Sequence, residues 1–541
     1  MTSLDYKSTT PCHTGCVSDT EQAADARRHI VIVGGGTAGW MSAATLRRRL
    51  ACRVTVVESA RLPPIGVGEA TIPAMVDWIE NMGIDEDEFV RRTGATYKLA
   101  IRFDDWVEPK HRYWHPFGIC GCPIDGADLI HAWRQGVREG WLPIDSQYTD
   151  YSFQRELGER GCGPRSPGQP SVAQNYAFHL DAGKLATFLK EVALAEGVEH
   201  LVGDVSGAEL DEQGEIASLQ IENWSPLRAD LFVDCSGFSS VLIDRVMGSV
   251  WTDWSDQLIC DSAVTLRLPR DQDDASELPA YTISTGMTSG WSWQIPLQGN
   301  VGCGYVYSSK HIGDDEARGE LIRLIGGDLA SAETRLVPMR IGMRSTSWIG
   351  NCVALGLSAG FVEPLESTGI FLVQRALDEL VECLPDPVSP TFHSGYFDSE
   401  TFNARMTDVT TQVRDFVLMH YVVSRRRDTP FWRDAGNVAL PDSLTMLLEE
   451  YTATGRVRLP ERDPTFAEAN HHFILSPAGI HPGSNNRVVE SHPETVQRLL
   501  AEVQHQHTKI ALGLPSHADL IHSIHSSAGA AGISTRLPLG A

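Results

Sequence analysis

The residues best placed for chemistry begin with six near the start of the chain. Gly34-Gly35-Gly36-Thr37-Ala38-Gly39 fits G-x-G-x-x-G, directly after the apolar run 29–33 and directly before a helical stretch. Glycines at these places let backbone N–H groups approach a pyrophosphate at a helix N-terminus. An acid, Glu58, ends the next strand, 58 − 36 = 22 positions past the second glycine; a contact to a ribose hydroxyl is expected about 20 residues on. Glycine turns also serve plain strand–helix packing, but strand, helix and acid in register favour a dinucleotide. The sequence carries no second fingerprint of this kind. It does carry an Asp234-x-x-Gly237 turn and a Gly356–Gly360 loop, each after a later apolar strand. One long ligand spanning two parts of a sheet fits that arrangement, so FAD is a better reading than NAD, with the flavin reduced elsewhere.

A second constellation is Glu363-Pro364-Leu365-Glu366-Ser367-Thr368-Gly369, directly before a helix with apolar periodicity. Ser367 and Thr368 suit a helix cap, and both acids suit a first turn. Free N–H groups at the same terminus would instead hold a small anion. In that case at least one acid must point away, into a reaction chamber. Trp291 and Trp293 stand at i and i+2 and share one face of a strand, where a tryptophan pair ordinarily packs on a core. Lys98 lies between apolar neighbours in 96–101; most such lysines snorkel to solvent.

The elements that must position these residues follow from the hydrophobic pattern. Strands are expected at 29–33 and 53–58 around a helix from Trp40 to about Leu50, a βαβ unit. A Pro/Gly-rich strap covers 61–73, helices follow from Met75 to Arg92, and 157–171 reads as an exposed loop. An amphipathic helix spans Leu180 to Glu196, strands return at 201–205, 216–221, 230–234 and 352–355, and a helix covers 369–384. Pro385 and Pro387 end that helix. The expected architecture is α/β: a Rossmann-like FAD-binding module of the flavin monooxygenase type at 28–384, with inserted substrate-site segments. A mainly helical substrate module occupies 385–515, a disordered extension 1–27 and a loose tail 516–541.

Charge and composition exclude several function classes. The balance of 45 Lys+Arg against 70 Asp+Glu, 45 − 70 = −25, repels phosphate backbones and anionic lipid, so neither nucleic acid nor membrane is an expected partner. No apolar stretch reaches the roughly 18–20 residues of a membrane span. Eleven cysteines, an odd and sparse set without zinc spacing, argue for no metal and for a reducing cytoplasm.

Together these residues resemble the flavin-dependent tryptophan halogenases. The matching pieces are Gly34–Gly39, the strap Ile65–Pro73, Lys98, Trp291-x-Trp293-x-Ile295-Pro296 and Glu363–Gly369, with Arg414-Asp415-Phe416 and Arg427–Trp432 as further signatures. The resemblance covers roughly residues 28 to 515. It implies that FADH₂ from a separate NAD(P)H flavin reductase, with O₂, oxidises chloride or bromide to hypohalous acid. Cofactor contacts would fall on Gly34, Gly36, Thr37, Ala38, Gly39, Glu58, on Gly68, Glu69 and Ala70 of the strap, and on Gly356 and Ile370. The halide would lie at Thr368 and Gly369. Hypohalous acid would cross an internal passage to Lys98, which hydrogen-bonds it or becomes a haloamine, and Glu366 would tune that lysine or take the proton lost from the ring. Trp291 and Trp293 would separate flavin from substrate, and His115 and Phe117 would sandwich an indole. A homodimer is in keeping with the family.

The resemblance thins over the amino-acid end of the substrate site. Free-tryptophan enzymes of the family carry a long aromatic-rich segment there, and residues 462–473 are short and poorer in aromatics. A wider pocket follows, so a tryptophan inside a peptide stands level with free tryptophan as substrate. Two other readings are an aromatic hydroxylase of the same fold and a non-catalytic flavin-binding module. Lys98, the tryptophan pair and the Glu-Ser-Thr-Gly segment speak against the first, and the retention of every proposed catalytic position speaks against the second.

Overall fold

The computed structural model describes residues 28–61, 68–124, 126–270, 278–326, 333–385, 392–460, 462, 464–483 and 493–527. The proposed extension 1–27, strap residues Ile65, Gly66 and Val67, Pro387 and the last part of the tail lie outside the described residues.

The apolar run His29–Val33 forms the middle of a six-stranded sheet, parallel to Arg53–Glu58 on one side and to Leu231–Asp234 on the other. Ile30 and Ile32 enter one core while Val31 and Val33 enter a second. Alternate side chains of a strand point to opposite faces, so a strand covered on both sides is apolar throughout. The helices Thr37–Arg49, Ala182–Ala195 and Gly369–Cys383 supply the first cover, and the hairpin Val205–Leu210/Ile216–Ile221 supplies part of the second. The α/β, Rossmann-like architecture read from the sequence is the one observed.

A second sheet has seven strands and is mixed. Its order runs Thr334–Pro338, Ser262–Pro269, Asn300–Tyr307, Gly290–Pro296, Tyr281–Gly286, Ala100–Asp104, Arg112–Pro116. One face, with Val264, Tyr305 and Tyr307, packs on the helix Asp314–Ile325. The other, with Ile101, Phe103, Trp291 and Trp293, faces the C-terminal helices. Between the sheets a three-stranded ribbon pairs Ala177–Asp181 with Gly68–Ala70 on one edge and Thr96–Lys98 on the other.

The 24-residue helix Ser399–Val422 joins these parts. Its Phe402 and Met406 belong to the core of the dinucleotide sheet, and its Val413, Phe416 and Val417 to the core of the seven-stranded sheet. Residues on either side of 385 therefore share both cores.

Two expectations are corrected. The segment 157–171 is not an exposed loop throughout: its first residues finish the helix Phe153–Glu159, and Arg165 is buried, donating to Glu86 and paired with Asp87. Nor is the chain loose from 516. Ser516 caps the helix His517–Ser526, whose His517 is fully buried and accepts the Tyr97 N–H at 3.0 Å while its Nδ1 meets Leu278 O at 2.9 Å. Serine, glycine and histidine count looks solvent-like in sequence, but Leu520, Ile521 and Ile524 fall on one helical face and are buried.

Candidate active site

The glycine turn has the shape a pyrophosphate needs. Gly34 has φ +122, and a Cβ there would meet Cys235 O at 2.2 Å; one on Gly39 would meet Gly34 O at 1.9 Å. Any side chain at these two places would push strand and helix apart. A Cβ on Gly36 would instead point into open space, and no side chain caps the helix that starts at Thr37. The N–H groups of that terminus are left to a ligand. Glu58 stands at the strand end as expected, its carboxylate 2.8 Å from both Lys190 Nζ and His200 Nε2. Gly356 has φ +64 and packs its backbone on Ala38, so the later loop closes on the glycine turn.

The strap meets the tryptophan strand directly. A Cβ on Gly68 would lie 3.4 Å from Gly302 Cα and from Ile295. Glu69, on the same short strand, has its carboxyl pushed up to about 7 by burial.

Lys98 does not snorkel. It is fully buried, and its ammonium donates to Ser367 Oγ at 2.8 Å and to Thr71 O at 3.1 Å, 5.1 Å from the centre of the Phe117 ring. Burial pulls its pKa down to about 7, against the opposing pull of Glu366. The strand pairing explains the position: Lys98 lies opposite Ala177, with that one strand between it and the strap.

Ser367 is not the helix cap that its type suggests. It sits in the left-handed region at φ +61 and turns its hydroxyl to Lys98, while Thr368 takes the cap position without a side-chain hydrogen bond. A Cβ on Gly369 would meet nothing within 4 Å, so the start of the helix Gly369–Cys383, where Ile370 is buried, is open for an anion.

The two acids of this segment diverge. Glu366 is 2% exposed and lies between two imidazoles, Oε2 at 2.9 Å from His115 Nδ1 and Oε1 at 2.8 Å from His420 Nε2. Burial alone would raise this carboxyl; the two imidazoles reverse that and hold it below the usual carboxylate range. Glu363 is fully buried and accepts from Tyr421 OH at 2.6 Å and from Trp291 Nε1 at 3.1 Å. Here burial wins, and the carboxyl is pushed up to about 7. Trp291 and Trp293 are both buried with ring centres 6.0 Å apart, and Gly304 makes room for the Trp293 ring.

Sequence reasoning did not find Glu363's tie to Trp291, nor His420, Tyr421, Tyr113 and Asn470. Tyr113 had one available signal, its i−2 spacing to His115 on one strand face. The role of the Arg427–Trp432 signature, with Arg426 before it, is also visible only in space. Arg426 donates to Gly286 O at 2.8 Å, Thr429 to Thr288 O at 2.8 Å and Trp432 Nε1 to Met287 O at 2.8 Å. Together they grip the hairpin that presents Trp291. Among the described residues no group of three metal-ligating side chains is found, and no helix is long and apolar enough to cross a membrane.

This architecture has known counterparts. A sequence model of the family described as "Tryptophan halogenase" matches residues 29–494. Tryptophan 6-halogenase SttH of Streptomyces toxytricini is 37% identical over 458 residues, 81% of this chain and 85% of that one. Tryptophan 7-halogenase RebH of Lentzea aerocolonigenes is 34% identical, covering 92% of this chain and 98% of that one. The structure of Xcc4156, a flavin-dependent halogenase from Xanthomonas campestris, superposes with a TM-score of 0.84 at 33% identity, over 92% of this chain and 98% of that one. With a buried lysine, a flanked glutamate and a dinucleotide turn on one frame, the chain belongs to the flavin-dependent tryptophan halogenase family.

Proposed function

We propose that the protein chlorinates an indole ring by delivering hypohalous acid to Lys98. One observation carries the reading: an amine removed from water, between a glutamate-bearing turn and the aromatic Phe117. The uncapped helix start at Thr37, the room at Gly36 and the closure of Gly356 on Ala38 fit FAD, held through Gly34–Gly39, Glu58, Gly68–Ala70, Gly356 and Ile370. Bound as FADH₂, made by a separate reductase, and supplied with O₂, the flavin provides the oxidising equivalent that turns halide into hypohalous acid.

The chain's own residues do the rest. Thr368 and Gly369 hold the halide at an open helix start. Trp291, fixed by Glu363, would stand with Trp293 between the flavin site and the substrate and so disfavour direct hydroxylation of the ring. At Lys98 the neutral amine exchanges N–H for N–X with release of water. As the haloamine nitrogen takes up a proton and departs as the neutral amine, halogen passes to the ring carbon nearest it, an orientation effect, and Glu366 takes the ring proton. Free thiols at all nine described cysteines suit a reducing cytoplasm.

Product mass tests the reading. With FAD, reductase, NADH, O₂ and chloride or bromide, the indole substrate gains a halogen; a gain of oxygen assigns the hydroxylase instead. The rate with chemically prereduced flavin rises with pH through about 7, as burial holds Lys98 there and the neutral amine is the reacting form. A rate falling through that range assigns the ammonium as a hydrogen-bond donor to hypohalous acid.

The same reading includes tryptophan within a peptide. Over the site, Phe466 stacks on Phe416 at 3.7 Å and His471 and Phe473 turn into the core, while Arg462 is paired with Glu382. Among its described residues that segment turns rings inward, with Glu468 half-buried, and offers no paired clamp for a free ammonium and carboxylate. Turnover of a short Trp-containing peptide is expected to equal or exceed that of free tryptophan; turnover of the free amino acid alone restricts the substrate to it.

A further inference from the structure

The strand Arg112–Pro116 places Tyr113 and His115 on one face, and both reach Glu366, by different routes. His115 Nδ1 lies 2.9 Å from Glu366 Oε2, and its Nε2 lies 2.8 Å from Asn470 Nδ2. On the other side Glu366 Oε1 lies 2.8 Å from His420 Nε2, and His420 Nδ1 lies 3.2 Å from the Tyr113 hydroxyl. His115, His420, Tyr113 and Glu366 are all buried, and Asn470 is half-buried. Three elements thus converge on the carboxylate carried by a fourth.

The donors at the two ends decide where the ring protons sit. An amide nitrogen only donates, so His115 Nε2 accepts from Asn470 and the ring proton is on Nδ1, toward Glu366. A buried hydroxyl whose proton has no acceptor is costly, and His420 Nδ1 is the atom within reach of Tyr113. His420 therefore accepts at Nδ1 and carries its proton on Nε2, again toward Glu366. Burial also lowers the His420 pKa and raises that of Tyr113, which keeps the ring neutral and the phenol protonated.

We propose that Tyr113 and Asn470 are positioning residues for Glu366: each sets the tautomer of the adjacent imidazole so that both rings turn an N–H to the carboxylate and keep it ionised. The inference rests on the reading that Glu366 takes the proton displaced by halogen. In that step a C–X bond has formed, the C–H bond breaks, its electron pair restores the aromatic ring and the proton passes to a Glu366 oxygen. The halogenated ring cation is so strong an acid that a weak base suffices. What the base must be is unprotonated at each turnover. The two rings act on the carboxylate by proximity, at 2.9 and 2.8 Å, since His115 Nδ1, His420 Nε2 and Glu366 Oε1 make no directed hydrogen bond. That oxygen keeps a lone pair for the arriving proton.

The test uses the full chain with FAD, reductase, NADH, O₂ and halide, and compares tryptophan with tryptophan deuterated around the indole ring. Tyr113→Phe and Asn470→Leu are each expected to lower kcat about tenfold with KM within twofold. Each should also give a larger substrate deuterium isotope effect than the unaltered enzyme, because proton loss from the ring becomes slower. Asn470→Gln, which can still present an N–H, should recover part of the rate. Unchanged kcat and isotope effect in both variants overturn the proposal. Lower kcat with an unchanged isotope effect also overturns it, since a packing defect slows the enzyme without exposing that step. Glu366→Gln run in parallel separates the two ideas: a normal rate there removes the base itself. A slow Glu366→Gln with normal Tyr113→Phe and Asn470→Leu removes only the positioning.

Discussion

Lys98→Met lowers halogenated product by on the order of 10³-fold or more, while FAD binding and halide-dependent consumption of reduced flavin continue. Methionine keeps the length and the apolar stem but has no nitrogen to carry halogen. Because the flavin turn and the helix start at Thr368 touch other residues, oxidant is still made and escapes to solvent, where a thiol or a chromogenic phenol traps it. The variant also separates chemistry from folding. Burial holds the folded Lys98 near 7, below its ordinary 10.5. For a lysine so depressed, the folded state is disfavoured most below about pH 7, and the penalty fades as pH rises toward 10.5. Removing the amine takes that penalty away, so at pH 6 the variant's Tm is expected at or above that of the unaltered enzyme. Product formed at a normal rate would take Lys98 out of the mechanism.

The second large effect is at Glu366. Glu366→Gln is expected to reduce kcat by about 10²–10⁴-fold with a small change in KM. The amide has the shape of the acid and leaves the pocket intact, but it cannot accept a ring proton. It also turns an NH₂ toward one of two imidazole N–H groups that lie 2.8 and 2.9 Å from the native oxygens. Two donors facing each other in a buried site cost more than a lost hydrogen bond. Steady-state rates over a range of substrate concentrations check the prediction, and a rate near that of the unaltered enzyme would leave the site without its base.

Much of the frame could be read from the order of residues. The run 29–33, the glycines and Glu58 announce a strand, a turn and a second strand, because local spacing and period 2 or 3.6 are properties of the chain itself. The same holds for Trp291 and Trp293 on one face and for the helix after Thr368. Within a segment, however, residue type misleads. Ser367 has the chemistry of a cap, yet its backbone turns left-handed and its hydroxyl goes to a lysine 269 positions away. Lys98 has the pattern of a snorkelling lysine, and only the approach of Thr71, Phe117 and Ser367 in the folded chain encloses it.

By itself, then, the sequence determined the dinucleotide turn, the strand and helix periods, the paired tryptophans and the family to which they point. Tertiary structure alone decided that Lys98 is dry, that Glu366 stands between His115 and His420 while Glu363 fixes Trp291, and that 426–432 grips the tryptophan hairpin. The physical reason is one of range. Hydrophobic period and backbone preference act between near neighbours, whereas desolvation and the pairing of charges depend on everything the folded chain brings within a few ångströms.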